Sequence, residues 1–479
     1  MRGVSRRGAL AGSLAGGLAG GLAAAFGAGV AQAKERPFRA VTGTERPRRP
    51  NVLFILADDL GWADLGCYGS RNIRTPYLDA LAGGGVRFTN GYSAAPMCSP
   101  TRFALYTGRY PGRLPGGLEE PISMPNKQNG IPPEHPTLAS LLKGAGYTTA
   151  MFGKWHCGFL PWFSPVKSGW DTFFGNLGGA IDYYSKISAR RVVDLYEGEV
   201  PTESLEYYTE TVSERAAGFV RAHHDGPWLL NLNFTAPHWP WEAPGDVDVS
   251  KELTARVQAG EQGVLQHGDG GSLDTYRRMV EAMDSGVGKV LKALAETGQE
   301  NDTLVVFASD NGGERWSYMW PLSGSKSQLN EGGIRVPTIV RWPAALRSRQ
   351  VSDVPVVTQD WTATILEAAG VAPAESHPLD GHSLIAYLLD GAQAPEHDLF
   401  WRTKQAHALR RGRWKYLRNN GDESLHDLHT DPRERADLAR RQPEILNRLR
   451  ARWEEIDKDL LPYPGGSTPA PTAPARDAQ

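Results

Sequence analysis

Cysteine is scarce in this chain. Its 479 residues hold only Cys67, Cys98 and Cys157, which excludes a disulfide scaffold, and no C-x-x-C pair offers a zinc ribbon or a dithiol redox site. The odd number leaves at least one thiol to be explained. An excess of one charge is missing too: 52 basic side chains face 54 acidic ones, so a broad basic footprint for nucleic acid is excluded. There is no internal repeat outside a Gly/Ala-rich leader, which excludes a solenoid. What is present is a chain that is 40% hydrophobic, long enough for a large core and, by length, for two domains.

Residues 1–33 differ in composition from all that follows. Arg2, Arg6 and Arg7 precede an uncharged stretch that ends on Ala31-Gln32-Ala33, the pattern of an export signal with a small-residue cleavage site. Ser5-Arg6-Arg7 with Leu10 is similar to a twin-arginine signal, with Ala9 where Phe is usual. A retained membrane anchor is the competing reading. Eight glycines between Gly8 and Ala33 count against a spanning helix, so no stable span is expected in the mature form and the location is periplasmic or secreted. Residues 34–50 read as a linker.

Five apolar runs of strand length follow: Asn51–Ala57, Tyr147–Phe152, Trp228–Phe234, Thr303–Ser309 and Val336–Arg341. Helical patterns lie between them, such as Met279, Met283, Val287, Val290, Leu291 and Leu294 before the Thr303 run. The expectation is an α/β fold with a mostly parallel central sheet flanked by helices, filling a catalytic domain over 51–394. Leu366–Gly370 closes a further helix and Asp380–Leu389 holds a short one. From 395 to 463 the runs Leu399–Arg402, Ala406–Arg410 and Arg413–Leu417, then a helical repeat over Pro443–Asp457, predict a small antiparallel C-terminal subdomain with one helix. Residues 464–479 have little to bury and read as a disordered tail.

The chemistry follows the strands. Asp58-Asp59 ends the first run, Gly153-Lys154-Trp155-His156 the second, Ala236-Pro237-His238 the third and Asp310-Asn311-Gly312-Gly313 the fourth. In parallel sheets such tips converge on a ligand. Singly, each has a plain reading as turn or solvated residues. Together, three carboxylates and an amide call for a hard dication, and all-oxygen ligands suit Ca²⁺ or Mg²⁺ rather than Zn²⁺. Lys154, His156 and His238 add positive charge and proton donors, a set suited to sulfuryl or phosphoryl transfer. In Met97-Cys98-Ser99-Pro100-Thr101-Arg102, Ser99 is expected as N-cap and Pro100 as first helical residue. Cys98 then stands at a helix N-terminus, where an anion is favoured, with Arg102 one turn on. The plainer alternative is a buried structural thiol.

Cys98-x-Pro100-x-Arg102, continued by Tyr106-Thr107-Gly108-Arg109, resembles the signature of the type I sulfatases of the alkaline phosphatase superfamily. The likeness runs from about Asn51 to Asp457 and includes Asn51–Gly69, Gly153–His156, Pro237-His238, Ser309–Gly313, Gly324–Pro337, Trp414-Lys415-Tyr416 and Asp427-Leu428-x-x-Asp431-Pro432. It implies an arylsulfatase-like sulfuric ester hydrolase with Ca²⁺ held by Asp58, Asp59, Asp310 and Asn311 and touched by residue 98. Cys98 would be converted to Cα-formylglycine by a formylglycine-generating enzyme, and one hydroxyl of its hydrate would attack sulfur to give a covalent sulfate ester. The resemblance makes His156 the base that deprotonates the second hydroxyl, so that the aldehyde re-forms. It assigns Arg102 and Lys154 to the formylglycine oxygens, and His238 and Lys326 to sulfate binding and protonation of the leaving alcohol. Lys326 is identified by the likeness alone.

Two rivals stand beside the sulfatase reading. One is a phosphonate or phosphodiester hydrolase on the same scaffold; related phosphonate monoester hydrolases and choline sulfatases carry Asp-His where this chain has Asp310-Asn311, which argues against both. The other is a non-catalytic binder of sulfated glycans, which follows if Cys98 stays unmodified. The expected substrate is a sulfated small molecule or sulfated carbohydrate. Trp62, Trp162, Trp239, Trp241, Trp316 and Trp320 could form a platform for its ring, although packing is the commoner role. Cys67 and Cys157 read as structural thiols, with a disulfide between them left open.

Overall fold

The computed structural model describes residues 49–223 and 225–464. The leader, most of the linker and nearly all of the tail lie outside the described residues. Those described belong to one compact unit that also takes in the C-terminal sheet.

Among the described residues the main sheet has ten strands, in the order Gln350–Ser352, Val86–Phe88, Thr338–Arg341, Thr303–Ser309, Asn51–Ala57, Trp228–Asn233, Thr148–Gly153, Thr172–Gly175, Tyr196–Glu197 and Val200–Pro201. The central strands run parallel, with Asn51–Ala57 between Thr303–Ser309 and Trp228–Asn233. Alternation along one strand shows why its sequence is apolar throughout. Val52, Phe54 and Leu56 enter the core on one face, Leu53, Ile55 and Ala57 the core on the other, so no position is left to face water. The Leu273–Glu296 helix buries Met279, Met283, Val287, Val290 and Leu294 on one face, while Cys98–Thr107 and Thr358–Ala369 cover the other.

Three expectations need correction. The run ending at Arg341 pairs only over Thr338–Arg341 and is antiparallel to both neighbours. The segment from Asp380 is helical only over Ile385–Asp390, because Asp380 is held at the end of another helix. The three C-terminal strands are joined by a fourth, Asp422–Asp427, in an antiparallel sheet. The Pro443–Asp457 helix lies where its periodicity predicts. No helix among the described residues is long and apolar enough to cross a membrane. Cys67, Cys98 and Cys157 are all free thiols.

A buried ionic cluster joins the C-terminal sheet to the main body. Lys415 Nζ lies 2.9 Å from Glu331 and 2.7 Å from Glu434, all three side chains inaccessible to solvent. Tyr92 Oη donates to Glu331 at 2.6 Å, and Glu434 accepts from Glu331 N at 2.8 Å. Burial works against the charge on Glu331, but Lys415, Arg335 and Arg410 outweigh it and hold the carboxyl down to about 2. Since this lies below the ordinary 4.5 of the unfolded chain, the contribution of Glu331 is complete above that pH and is lost as pH falls towards 2. Lys415→Met strips buried Glu434 of its ion pair and leaves Glu331 to Arg335 and Arg410, so denaturant titration is expected to show a loss of about 3–5 kcal/mol at neutral pH; an unchanged midpoint would count against the cluster.

Candidate active site

The carboxyl ends of the parallel strands meet as their order requires. Asp58 and Asp59 leave the Asn51–Ala57 strand next to Asp310 and Asn311 from Thr303–Ser309, and all four are buried. Each carboxylate has its own cation from a different segment. Lys154 pairs with Asp58. Lys326 Nζ lies 2.6 Å from Asp59 Oδ2. Arg102 donates to Asp310 Oδ2 from Nε at 3.0 Å and Nη2 at 2.8 Å, and its Nη1 donates to the Lys154 carbonyl at 2.9 Å. The pairing explains how three carboxylates tolerate burial that would otherwise neutralise them.

The cysteine helix starts one residue earlier than expected. Cys98–Thr107 is helical with Met97 at the N-cap, so Cys98 is itself the first helical residue. Ser99 caps nothing, because its Oγ accepts from Ile122 N at 3.0 Å. Cys98 Sγ stands 3.2 Å from Asp58 Oδ1 and 3.9 Å from Asp59 Oδ1. Burial, then the Asp58 charge, pushes the thiol well above its usual range, so it stays protonated and is a poor nucleophile as cysteine.

Both histidines are neutral bases here. His156 Nε2 faces the Ile122 carbonyl at 2.8 Å, which places the proton on Nε2 and leaves Nδ1 a lone pair with no hydrogen-bond partner. His238 Nδ1 faces the Trp239 carbonyl at 2.7 Å, and its Nε2 is 3.6 Å from Asp59 Oδ2. Burial, followed by Lys154 for His156 and Lys326 for His238, lowers both far below the ordinary imidazole value. Asp59 (φ 63°) and His156 (φ 55°) adopt left-handed backbone, a strain of order 1–3 kcal/mol that concentrates at functional sites.

The donor set suits a hard dication. Asn311 Nδ2 donates to Asp59 Oδ1 at 2.7 Å, while Asn311 Oδ1 is buried without a hydrogen-bond partner, as a ligand oxygen awaiting a cation would be. Burial and the Asp310 charge raise Asp58 to about 7, a shift that a dication would reverse. Asp58, Asp59, Cys98 and His238 offer ligand atoms within 4.8 Å of one another. Asp310 is not in that group, with Oδ2 committed to Arg102 and Oδ1 accepting from Asp59 N at 3.3 Å.

Several supporting residues were not anticipated. Asn233 donates from Nδ2 to the Lys154 carbonyl at 3.1 Å and to Tyr106 Oη at 2.9 Å; a polar side chain inside a doubly buried strand was the available signal. Glu314 accepts from Trp239 Nε1 at 3.0 Å and lies 3.6 Å from Lys326. Tyr183 Oη donates to the His238 carbonyl at 2.8 Å. Of the tryptophans, Trp241 is core, Trp239 packs beside His238, and Trp320 is largely exposed.

The Sulfatase family model matches residues 50–371. The chain belongs to the sulfatase family. Its relatives include arylsulfatase J of Mus musculus, 30% identical over 91% of this chain and 80% of that one. The N-acetylgalactosamine-6-sulfatase of Homo sapiens is 32% identical over 72% of this chain and 67% of that one. The crystal structure of Ps i-CgsB in complex with k-i-k-neocarrahexaose is 30% identical, with a TM-score of 0.75 over 87% of this chain and 94% of that one. This sulfatase is therefore a sulfuric ester hydrolase.

Gly179 tests the placing of His156. A Cβ built there would lie 2.6 Å from His156 Cε1, so Gly179→Ala must push the imidazole aside. Its kcat for an aryl sulfate is expected to fall roughly 10²-fold with the fold retained by circular dichroism; an unaltered kcat would mean that the ring position is not critical.

Proposed function

We propose that this sulfatase hydrolyses a sulfate ester to an alcohol or phenol and inorganic sulfate, with a nucleophile made from Cys98 by oxidation to Cα-formylglycine. The observation that carries the reading is a buried thiol, protonated and unreactive as such, at a helix N-terminus 3.2 Å from Asp58 and within the field of Lys154 and Lys326. The hydrated aldehyde supplies two hydroxyls on one carbon. One forms an S–O bond as the ester's S–O bond to the alcohol breaks; loss of the other's proton re-forms C=O and breaks the C–O bond to sulfate.

The chain's own groups are suited to those steps. His156, with its lone pair on Nδ1, takes the proton of the second hydroxyl. Lys154 and Arg102 hold the oxygens at residue 98. Lys326 and His238 bind the sulfate; Lys326, whose ammonium is charged, donates a proton to the leaving oxygen, and His238 shares that role once the anionic ester has favoured its protonated form. Asp58, Asp59, Asp310 and Asn311, with residue 98, would hold Ca²⁺, which when bound draws negative charge from the sulfate oxygens.

A sugar hydroxyl is the favoured alcohol. A cleft of about 610 Å³ lined by Trp62, Tyr68, Tyr318 and Trp320 is walled by the segments that follow Asp59 and Asn311, and aromatic faces suit sugar rings. The oligosaccharide bound by Ps i-CgsB supports the same class. Oxidation by a formylglycine-generating enzyme would precede export, which fits a twin-arginine leader over residues 1–33 and a periplasmic or secreted enzyme.

Mass spectrometry of the peptide containing residue 98, from exported protein, is expected to find the aldehyde; an unmodified thiol would leave the glycan-binder reading. Cys98→Ser is expected to keep its Ca²⁺-dependent rise in melting temperature and to lose turnover roughly 10³-fold or more. Matched aryl sulfate and aryl phosphonate esters separate the two hydrolase readings, and a preference for the phosphonate would overturn this one. Changing both Arg6 and Arg7 to Lys is expected to retain the protein in the cytoplasm; undiminished export would refute the twin-arginine route.

A further inference from the structure

A second group of metal-ligating side chains gathers at the opposite end of the Cys98–Thr107 helix. Asp360 is fully buried near the start of the Thr358–Ala369 helix. Its carboxylate accepts from Val357 N and from His382 N, each at 2.9 Å. These bonds fix the carboxylate and leave lone pairs on both oxygens. His397 comes from the segment that leads into the Leu399–Arg402 strand, and its side chain is only 6% exposed. Its Nδ1 faces the Pro395 carbonyl at 3.2 Å, so Nδ1 carries the proton and Nε2 presents a lone pair, the orientation that a carbonyl imposes on metal-binding histidines.

That Nε2 is buried and out of line for a hydrogen bond, with the Asp360 carboxylate as its ion-pair partner when the imidazole is protonated. It stands 3.2 Å from Asp360 Oδ2, so two electron-rich atoms face each other in a dry place unless something positive lies between them. His382 is exposed and stacks on His397 with ring centroids 4.6 Å apart. One ligand atom from each of the three residues lies within 4.8 Å of the others. Neighbouring acids are already satisfied: Asp380 by Arg113, Asp398 by Arg411 and Arg452.

A proton can bridge two of these groups, whereas a metal ion can satisfy all three. Burial disfavours a charged His397, although the Asp360 carboxylate outweighs it and raises the imidazole above its ordinary value. Tetrahedral zinc with bonds near 2.0–2.1 Å sets its ligand atoms about 3.3–3.4 Å apart. The Asp360–His397 pair already has that spacing, and the exposed His382 ring is the member free to close. We propose that Asp360, His382 and His397 form a second metal site for Zn²⁺, with water as the fourth ligand. Two imidazoles and one carboxylate favour a borderline ion over Ca²⁺.

The site adjoins the far end of the Cys98–Thr107 helix, which is about 15 Å long. It is a staple rather than a catalytic centre. Asp380 N and Gly381 N, just before His382, donate to the Gly108 carbonyl at 3.0 and 3.2 Å, so the ion would fasten the loop that closes the cysteine helix to the strand entering the C-terminal sheet.

The full-length protein, kept in excess Ca²⁺ to fill the catalytic cluster, is titrated with Zn²⁺ by calorimetry and melted with and without it. The wild type is expected to bind Zn²⁺ and to melt about 3 °C higher at a hundredfold excess over Kd. His382→Ala, at an exposed position, is expected to fold, to bind roughly tenfold or more weakly, and to keep at most about half of the shift at the same Zn²⁺ concentration. Absence of Zn²⁺ binding by the wild type, or the same affinity and shift in His382→Ala, overturns the site; the latter would trace the binding to other groups, such as His135 and His377, whose rings lie 4.5 Å apart.

Discussion

Three carboxylates buried at the ends of two adjacent parallel strands set the terms for the rest of this molecule. Asp58, Asp59 and Asp310 have essentially no contact with solvent, and effective desolvation costs several kcal/mol for each charge. The chain offsets this with three cations drawn from three distant segments: Lys154 after the neighbouring strand, Arg102 on the cysteine helix and Lys326 in a glycine-rich loop. Each ion pair is thus also a tertiary restraint. The helix is oriented by Arg102, whose guanidinium spans Asp310 and the Lys154 carbonyl, and that orientation sets Cys98 against Asp58.

The same balance explains why both histidines are neutral. With the acids matched one to one by Lys and Arg, the field at His156 and His238 comes chiefly from burial and nearby lysines, and both lower the imidazole affinity for protons. A neutral His156 with a free Nδ1 is ready to accept a proton as it stands. An added dication would tip the pocket towards positive charge, and an anionic ester would restore the balance. On the proposed function, anion recognition would be local to one pocket, which is how a chain with nearly equal acidic and basic side chains could select a sulfated ligand.

Legibility in the sequence tracked burial. Asn51–Ala57 and Thr303–Ser309 were readable to the residue because both faces are buried and every position after Asn51 and Thr303 is apolar or small. The polar tips were readable because they interrupt those runs. Lys326 was not, since it lies in a loop without periodicity and enters the site through a contact with Asp59 across 267 positions of sequence. Asp422–Asp427 escaped because its residues, DESLHD, carry a strand's hydrogen bonds without its usual composition. Ser99 has the right chemistry for an N-cap, but a competing backbone donor at Ile122 claims its oxygen. Local preference yields there to a tertiary bond, which no window of sequence contains.

The C-terminal sheet looks peripheral to the chemistry, and the ionic cluster at Lys415 argues otherwise. Glu331, which Lys415 neutralises, belongs to the same segment as Lys326, and Glu434 reaches that segment twice, through Ser323 Oγ at 3.0 Å and Glu331 N at 2.8 Å. Leu329 and Ile334 also bury against the C-terminal sheet, and Gly332 and Gly333 pack so closely on backbone carbonyls that a Cβ at either would clash. The loop's course is set by this apolar packing together with the charged anchors at its far end and Lys326 on Asp59 at its near end. The Lys326 ammonium is thus held on Asp59 by a loop anchored at both ends. On this argument the antiparallel sheet is the outer support of the anion pocket, and the main sheet supplies only its inner half.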